Sequence, residues 1–243
     1  MKKTILSFIA LLISFSSIAQ ESFWNTVRDG PDLDRGFSVS LIIPSFMISS
    51  PSNLNSLLVE NWYPYIPRGS FNYGIGVSYR MKRFETGINA LVGSQTVYID
   101  QLNSQINRTP LTANIFLQYH LFRKGSFTFY PLIGISLTDT NLILSKEIEP
   151  DDIGNLLQNP GTSMNLQHFS EGILVGFGVD LAEHWVESTG LFRLKFAYRI
   201  PTGNYPWESY FTNLGSPPKD SFPYFSVQFE MGLPFNWNKG SLK

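Results

Sequence analysis

Apolar and polar side chains alternate with a period of two along much of the chain, most clearly from Phe71 to Val92. Between Phe71 and Met81 the odd positions are apolar or aromatic, whereas the even positions are small, amide or charged. The polar pair Lys82 and Arg83 interrupts the pattern, which then resumes as far as Val92. Since the side chains of a β-strand point alternately to its two faces, the stretch predicts a β-hairpin with one apolar face.

The same alternation recurs along the chain and predicts eight strands, each close to the ~9 to 11 residues that a tilted transmembrane strand needs. They are Gly36–Phe46, Phe71–Met81, Phe84–Val92 with a continuation left open as far as Ile99, Leu111–Phe122, Phe127–Leu137, Gln167–Leu181, Phe192–Ile200 and Pro223–Phe235. Long connections are expected at 47–70, 100–109, 139–167 and 201–222, and short turns at 82–83, 123–126 and 182–186. Alternating long and short connections are typical of membrane barrels, whereas a soluble sandwich does not require them.

The size of the apolar face indicates which way the predicted sheet is oriented. An eight-stranded barrel has room inside only for packed side chains, and this face is too large to be packed there. The apolar side chains are therefore expected to face lipid, with the small and charged side chains in the lumen. The sequence thus predicts an all-β protein, an eight-stranded antiparallel up-and-down transmembrane β-barrel.

The N-terminal residues predict export from the cytoplasm. Lys2 and Lys3 precede an apolar segment, and Ser17-Ile18-Ala19 is a small-x-small cleavage site. We expect a signal peptide at 1–19, a periplasmic arm at 20–35, the barrel at 36–237 and a short tail at 238–243. The chain has no cysteine and carries 18 Lys and Arg against 19 Asp and Glu. This balance argues against a nucleic-acid partner, and the sequence predicts no cofactor and no metal.

The segment Glu230–Trp237 reads polar-x-Gly-x-x-aromatic-x-aromatic. Together with the eight-strand pattern, it makes the chain resemble the small eight-stranded outer-membrane β-barrel proteins, the group that includes OmpX and the membrane domain of OmpA. The resemblance is one of pattern from Gly36 to Trp237, and six residues follow where the family usually stops. It implies the outer membrane of a Gram-negative bacterium, contact with membrane lipid and lipopolysaccharide, and insertion by the barrel-assembly machinery. The residues of that insertion signal are Gly232, Phe235 and Trp237.

Charged side chains are predicted on the lumen face of several strands. They are Arg80, Glu85, Asp180, Arg193, Lys195, Arg199 and Glu230. Because unpaired charges are costly in a confined interior, we expect them to pair across the lumen. A functional alternative is that Arg193, Lys195 and Arg199 line a narrow anion-selective channel, although eight-stranded barrels are normally filled by their own side chains.

His168, Ser170 and Glu183 are the best catalytic candidates. Their arrangement is similar to that of the PagL-type lipid A deacylases, and this resemblance implies a histidine base, a serine nucleophile and an orienting glutamate. Two features differ from that family. His168 and Ser170 share the parity of the lumen face rather than the lipid face, and Glu171 stands where the family has Asn. A lumen-lining histidine is the competing interpretation, and we expect no enzymatic activity.

Aromatic groups in the long connections are candidate binding residues. They are Trp62, Tyr63 and Tyr65 in the first connection and Trp207, Tyr210 and Phe211 in the last. Exposed Trp and Tyr side chains commonly anchor protein or glycan contacts, but such groups also pack on each other or lie at the membrane interface. The acidic group at 147–152 lacks the spacing of a known calcium loop, so solvated charges are expected there. The predicted role is structural or partner-binding at the cell envelope, with a protein as one candidate partner.

Overall fold

The computed structural model of the protein describes residues 35–49, 51–99, 104–124, 127–146, 162–180, 191–209 and 214–236. The predicted signal peptide at 1–19, the tail at 238–243 and nearly all of the predicted arm at 20–35 lie outside these residues. So does the acidic group at 147–152.

Eight long antiparallel strands form a closed ring within the described residues. They are β1 (Arg35–Ser49), β2 (Gly69–Met81), β3 (Phe84–Gly93), β4 (Ser104–Tyr119), β5 (Phe127–Lys146), β6 (Thr162–Asp180), β7 (Leu191–Pro201) and β8 (Tyr224–Asn236). Each strand pairs with its neighbour in the chain, and β8 pairs with β1 to close the ring. The predicted eight-stranded up-and-down barrel is confirmed.

Shorter elements lie at the end of the barrel that carries the long connections. Helix α1 spans Ser52–Glu60, Gln95–Ile99 pairs with β4, Glu208–Ser209 pairs with β6, and Tyr205–Pro206 pairs with Lys219–Asp220. At the other end, Phe122–Lys124 pairs with the start of β5. In the part of the chain described here, no helix has the length and apolarity needed to cross a membrane.

The wall of the barrel has an apolar outer surface and a polar inner surface. On β2, Ile75 is 62% exposed, whereas Asn72 and Ser78 are buried in the lumen. Large apolar side chains are exposed in the same way on all eight strands. An exposed apolar surface that surrounds the molecule is incompatible with water and suits hydrocarbon, so this band faces lipid. The predicted orientation of the sheet is therefore confirmed.

Three strands are longer than the sequence pattern predicted. β4 begins at Ser104, β5 ends at Lys146 and β6 begins at Thr162, so residues 104–109, 139–146 and 162–167 of the predicted connections are strand. The reason is an inversion of polarity. Beyond the lipid-facing band several inward side chains are apolar, as at Ile106 and Leu142, and most outward positions are polar, as at Asn107 and Asp139. This is the pattern of a soluble protein, because the outer surface there meets water.

Strand β1 also runs further than predicted, because a bulge keeps it in the sheet. The pairing register shifts between Ile42 and Ser45 on both neighbouring strands, around the cis Ile43–Pro44 peptide bond. Proline lacks an amide hydrogen and is tolerated in a sheet at such a bulge. Beyond the bulge, Met47 and Ser49 point into the lumen.

Candidate functional site

Helix α1 is followed by a residue with unusual backbone geometry, Trp62, whose φ angle is 63°. The amide of Trp62 donates to the carbonyl of Val59 (3.2 Å), and the amide of Tyr63 donates to the carbonyl of Leu58 (2.9 Å). These two bonds define a Schellman motif, whose left-handed position is usually glycine because a Cβ there costs roughly 1–2 kcal/mol. Tryptophan therefore occupies this position against its own backbone preference.

The side chains at this end of α1 form an exposed apolar surface. The helix buries Leu54 and Leu58 beneath it and leaves its other apolar side chains in water. Trp62 is 70% exposed and Tyr65 is 61% exposed. The exposed apolar residues here are Leu57, Val59, Trp62 and Tyr65, and we call them the tip patch. A strained, exposed tryptophan at its centre contributes little to packing within the chain, which makes the tip patch a candidate recognition surface.

The tip patch lies far beyond the lipid-facing band. Lys146, the last residue of β5, donates to the carbonyl of Asn61 (3.4 Å) and stacks over the Tyr63 ring (4.7 Å). The continuous run of outward apolar positions on β5 ends at Leu137, since Asp139 and Asn141 follow on the same face. At a rise of about 3.4 Å per residue and a strand tilt of about 40°, Lys146 stands about 20 Å above Leu137. The tip patch is therefore not part of the interfacial aromatic belt.

The start of α1 is held by a carboxylate from the other end of the sequence. Asp220 accepts the amides of Asn53 (2.8 Å) and Leu54 (3.1 Å) and the indole N–H of Trp207 (2.9 Å). Pro51 stands at the N-cap and gives no side-chain cap of its own. An anion at a helix N-terminus satisfies free amides and favours the helix dipole. Asp220 thus fixes α1 on the barrel.

Trp207 lies inside the molecule, so the prediction that it is an exposed binding residue is wrong. It is fully buried in an apolar cluster that closes the long-connection end of the barrel. The cluster consists of Leu54, Leu58, Ile66, Ile106, Leu142, Leu144, Leu166, Trp207 and Phe222. We call this cluster, together with α1 and residues 205–209 and 214–222, the cap. Tyr210 and Phe211, predicted beside Trp207, lie outside the described residues.

Two buried arginines lie beneath the cap. Arg108 donates to the Ser49 hydroxyl (3.1 Å), and its guanidinium lies over the Phe222 ring (5.6 Å). Arg199 donates to the Phe222 carbonyl (2.7 Å) and to the Ser170 hydroxyl (3.1 Å). We call these two arginines the basic layer. Arginine side chains stay protonated in proteins at neutral pH, so both members of the basic layer are cations.

The hydrolase candidates do not form a nucleophile–base pair. His168 Nε2 contacts the backbone carbonyls of Tyr205 (3.1 Å) and Asp220 (3.2 Å), while the Ser170 hydroxyl accepts from Arg199. Both side chains are fully buried on the lumen face, as the sequence parity indicated. Because both partners are carbonyl oxygens, which only accept, Nε2 carries the hydrogen and donates to them. Glu183 lies outside the described residues.

The remaining lumen charges form an ion-pair network near the short turns. Glu85 contacts Arg80 (2.9 Å), Arg193 (2.6 Å) and His120 (3.1 Å). Asp180 contacts Arg80 (2.9 Å) and Arg193 (3.0 Å), and Lys195 lies 2.9 Å from Glu230. We call this cluster the short-turn network; it consists of Arg80, Glu85, His120, Asp180, Arg193, Lys195 and Glu230. Every carboxylate in it has a cationic partner, so the network fills and neutralises this part of the lumen. Arg199 is not a member.

Of the three residues of the predicted insertion signal, only Gly232 is fully described. Gly232 lies on β8, where a Cβ would come within 2.5 Å of the Val39 carbonyl oxygen of β1. The glycine is thus required by close strand contact, whatever its role in insertion. Trp237 lies outside the described residues, as does the side chain of Phe235.

Sequence reasoning missed Arg108 and Asp220 as interior charged groups. Arg108 falls in a segment predicted as a loop, yet it has the same parity as the inward residues Thr112 and Asn114 further along β4. That parity is the signal that could have placed it in the lumen. Asp220 has no such signal, because its role depends on contact with α1.

The comparisons with known proteins concern the fold. No protein-family model matches the chain, and no curated protein matches it in sequence. Among solved structures it is similar to a major outer membrane protein from Thermus thermophilus, with 6% identity and a TM-score of 0.50 over 83% of this chain and 99% of that one. It also matches Ail of Yersinia pestis in complex with the heparin analogue sucrose octasulfate (9% identity, TM-score 0.47, 83% and 99% coverage). A third match is the neisserial surface protein NspA (13% identity, TM-score 0.46, 82% and 97% coverage).

The chain has the fold of the small eight-stranded outer-membrane β-barrels, as the sequence predicted. This closed barrel with its lipid-facing band is a protein of the outer membrane.

Proposed function

We propose that this protein is a non-catalytic outer-membrane barrel that presents the tip patch at the cell surface to bind a partner protein. The observation that carries the proposal is the backbone of Trp62. Its left-handed φ of 63° strains the backbone of a residue that has a Cβ. Its side chain is 70% exposed, so it gains little stability from packing. Strain of this kind is concentrated at functional sites, and tryptophan is the residue most enriched among binding hot spots.

The composition of the tip patch supports a protein partner. Leu57 and Val59 stand beside the two aromatic rings, so the exposed surface is aliphatic as well as aromatic. Aliphatic and aromatic side chains together resemble the core of a protein interface.

The rigidity of the cap also supports binding. α1 is fixed at its start by Asp220 and at its end by Lys146, which donates to the Asn61 carbonyl. A surface that is ordered before contact loses less conformational entropy on binding. The apolar cluster of the cap and the short-turn network fill the lumen from both ends, which favours binding over transport.

The test is site-specific photocrosslinking in living cells. A benzophenone amino acid is placed at Tyr65 in the tip patch and, as a control, at the lipid-facing Ile88, which is 58% exposed. We expect a discrete protein adduct from position 65 and none from position 88. Trp62→Gly should abolish the adduct at position 65, because it removes the central side chain without disturbing the backbone.

Lys82 supplies a matched control for that variant. It is the other non-glycine residue of the described chain with a positive φ (56°), and it lies in the turn between β2 and β3, at the opposite end of the barrel. Lys82→Gly should relieve the same type of strain and leave the adduct unchanged. An adduct that survives Trp62→Gly, or equal adducts from positions 65 and 88, would overturn the proposal.

A further inference from the structure

The basic layer differs from the short-turn network in its charge balance. In the short-turn network, each cation lies against a carboxylate. No carboxylate within the described residues forms an ion pair with Arg108 or Arg199, although both are almost fully buried. The nearby carboxylate of Asp220 is already engaged by the α1 amides and Trp207.

Several donors of the basic layer also lack a partner. Nε and Nη1 of Arg108 and Nε of Arg199 are buried and have no hydrogen-bond acceptor among the described residues. The hydroxyl of Thr140, paired across the sheet with His168, is buried and unpartnered as well. Both guanidiniums contact Phe222, one through its ring and the other through its carbonyl. The unpartnered donors therefore belong to one region of the lumen.

The sequence makes room for this arrangement. A Cβ on Gly172 would lie 2.7 Å from Nε of Arg199 and 2.8 Å from its Cγ, so only glycine admits the guanidinium here. Ser170 and Ser49 each accept one hydrogen bond from an arginine of the layer. Gly172, Ser170 and Ser49 thus lie against two buried cations, and no carboxylate of the described residues forms an ion pair with either cation.

We propose that the basic layer binds one small oxyanion, of the class of inorganic sulfate or phosphate, inside the barrel beneath the cap. Water would satisfy the free N–H groups but would leave two positive charges uncompensated in the interior, which is costly. An oxyanion supplies both negative charge and several acceptor atoms, and guanidinium groups match its geometry by paired N–H donation. This site is independent of the tip patch and of the proposed partner protein.

The test is retention of labelled sulfate after refolding. Because the layer is closed in the folded protein, the chain is refolded from urea into lipid-free detergent micelles with ³⁵S-sulfate, then desalted and counted. We expect about one sulfate per folded chain, and about tenfold less for Arg108→Gln and for Arg199→Gln, since each removes a charged donor. Lys219→Gln removes an exposed cation near the cap and should retain the label fully.

Folding of each variant is checked by circular dichroism, so that counts are expressed per folded chain. If a glutamine variant does not fold, the unaltered protein alone still tests the proposal. Excess unlabelled sulfate must then displace the label during refolding, whereas chloride at equal ionic strength must not. Competition by lipid A micelles would assign the natural anion to a lipid headgroup phosphate, and its absence to a free anion. The proposal would be overturned if the unaltered protein retained no label, or if both arginine variants retained as much label as the unaltered protein.

Discussion

The lipid-embedded wall and the cap are built from the same strands, yet they follow opposite rules. On β5, Ile135 points outward and is 58% exposed to lipid, whereas Leu142 points inward and is fully buried in the cap. The alternation between faces continues unbroken along the strand. Only the medium outside the barrel changes, from hydrocarbon to water. The solvent thus decides which face of one strand is apolar.

The interiors of the two regions differ accordingly. The lumen of the lipid-embedded wall holds a charged network around Glu85 and Arg193, whereas the interior of the cap holds Leu142, Trp207 and Phe222. One is stabilised by electrostatic pairing and the other by apolar burial. Variants in each region should therefore fail in different ways.

The largest effect is expected from Glu85→Ala in the short-turn network. It leaves Arg193 buried beside one fewer carboxylate, and breaking a buried ion pair in this way costs about 3–5 kcal/mol. Urea unfolding in detergent micelles measures the loss in the free energy of unfolding. Glu60→Ala, at an exposed position on α1, is the control and should cost less than about 0.5 kcal/mol. Similar losses for both variants would refute the idea that buried pairing stabilises this region.

A smaller effect, confined to the cap, is expected from Leu142→Ala. Removing a fully buried leucine side chain costs about 2–5 kcal/mol through lost burial and a residual cavity. Hydrogen exchange should show faster exchange of the α1 amides, with the β2 and β3 amides unchanged. Ile135→Ala on the lipid face of the same strand is the matched control and should leave α1 protected. Faster exchange throughout the barrel would mean that the cap and the wall unfold as one unit.

Asp220→Ala should weaken the cap by about 1–2 kcal/mol, the usual cost of losing a helix cap with its charge. The amides of Asn53 and Leu54 lose their acceptor, so they should exchange faster than the amides near the end of α1. Asp220→Asn keeps one acceptor oxygen and should recover part of the protection. Equal exchange in the unaltered protein and Asp220→Ala would show that α1 is held by packing alone.

The smallest expected effect is a gain in stability. Trp62→Gly relieves about 1–2 kcal/mol of left-handed strain and loses about 0.5–1 kcal/mol to the greater freedom of glycine in the unfolded chain. The net gain should be about 0.5–1 kcal/mol, and similar for Lys82→Gly at the opposite end, as measured by urea unfolding. A loss of stability in Trp62→Gly alone would assign Trp62 a structural role and weaken the proposed recognition surface.

The lipid-embedded wall could be predicted from sequence because its rule is local. A period of two with one large apolar face is enough to indicate eight lipid-facing strands. The extensions of β4 to β6 were missed because polarity inverts at residues such as Asn107 and Asp139, where outward polar side chains resemble a loop. The period of two continues through these segments, but their apolar side chains lie on the inward face instead of the outward face.

The candidate sites depend on contacts that a single sequence does not display. Trp62 and Trp207 both lie in aromatic, proline-containing connections, yet one is 70% exposed and the other fully buried. The difference arises from α1, whose Leu54 and Leu58 cover the cluster that contains Trp207. Asp220 and Arg108 acquire their roles in the same way, from partners on distant strands.

The contact between Asp220 and Asn53 joins residues 167 positions apart in the chain, and this fixes an order of assembly. The connection that carries Asp220 joins β7 to β8, and it lies against α1 only when β8 has paired with both β7 and β1 and the ring is closed. Until then the guanidiniums beneath the cap are open to bulk water and to any solute in it. Pairing of the β7–β8 hairpin with β1 therefore closes the barrel. A solute bound to the basic layer at that moment stays enclosed for as long as the protein is folded.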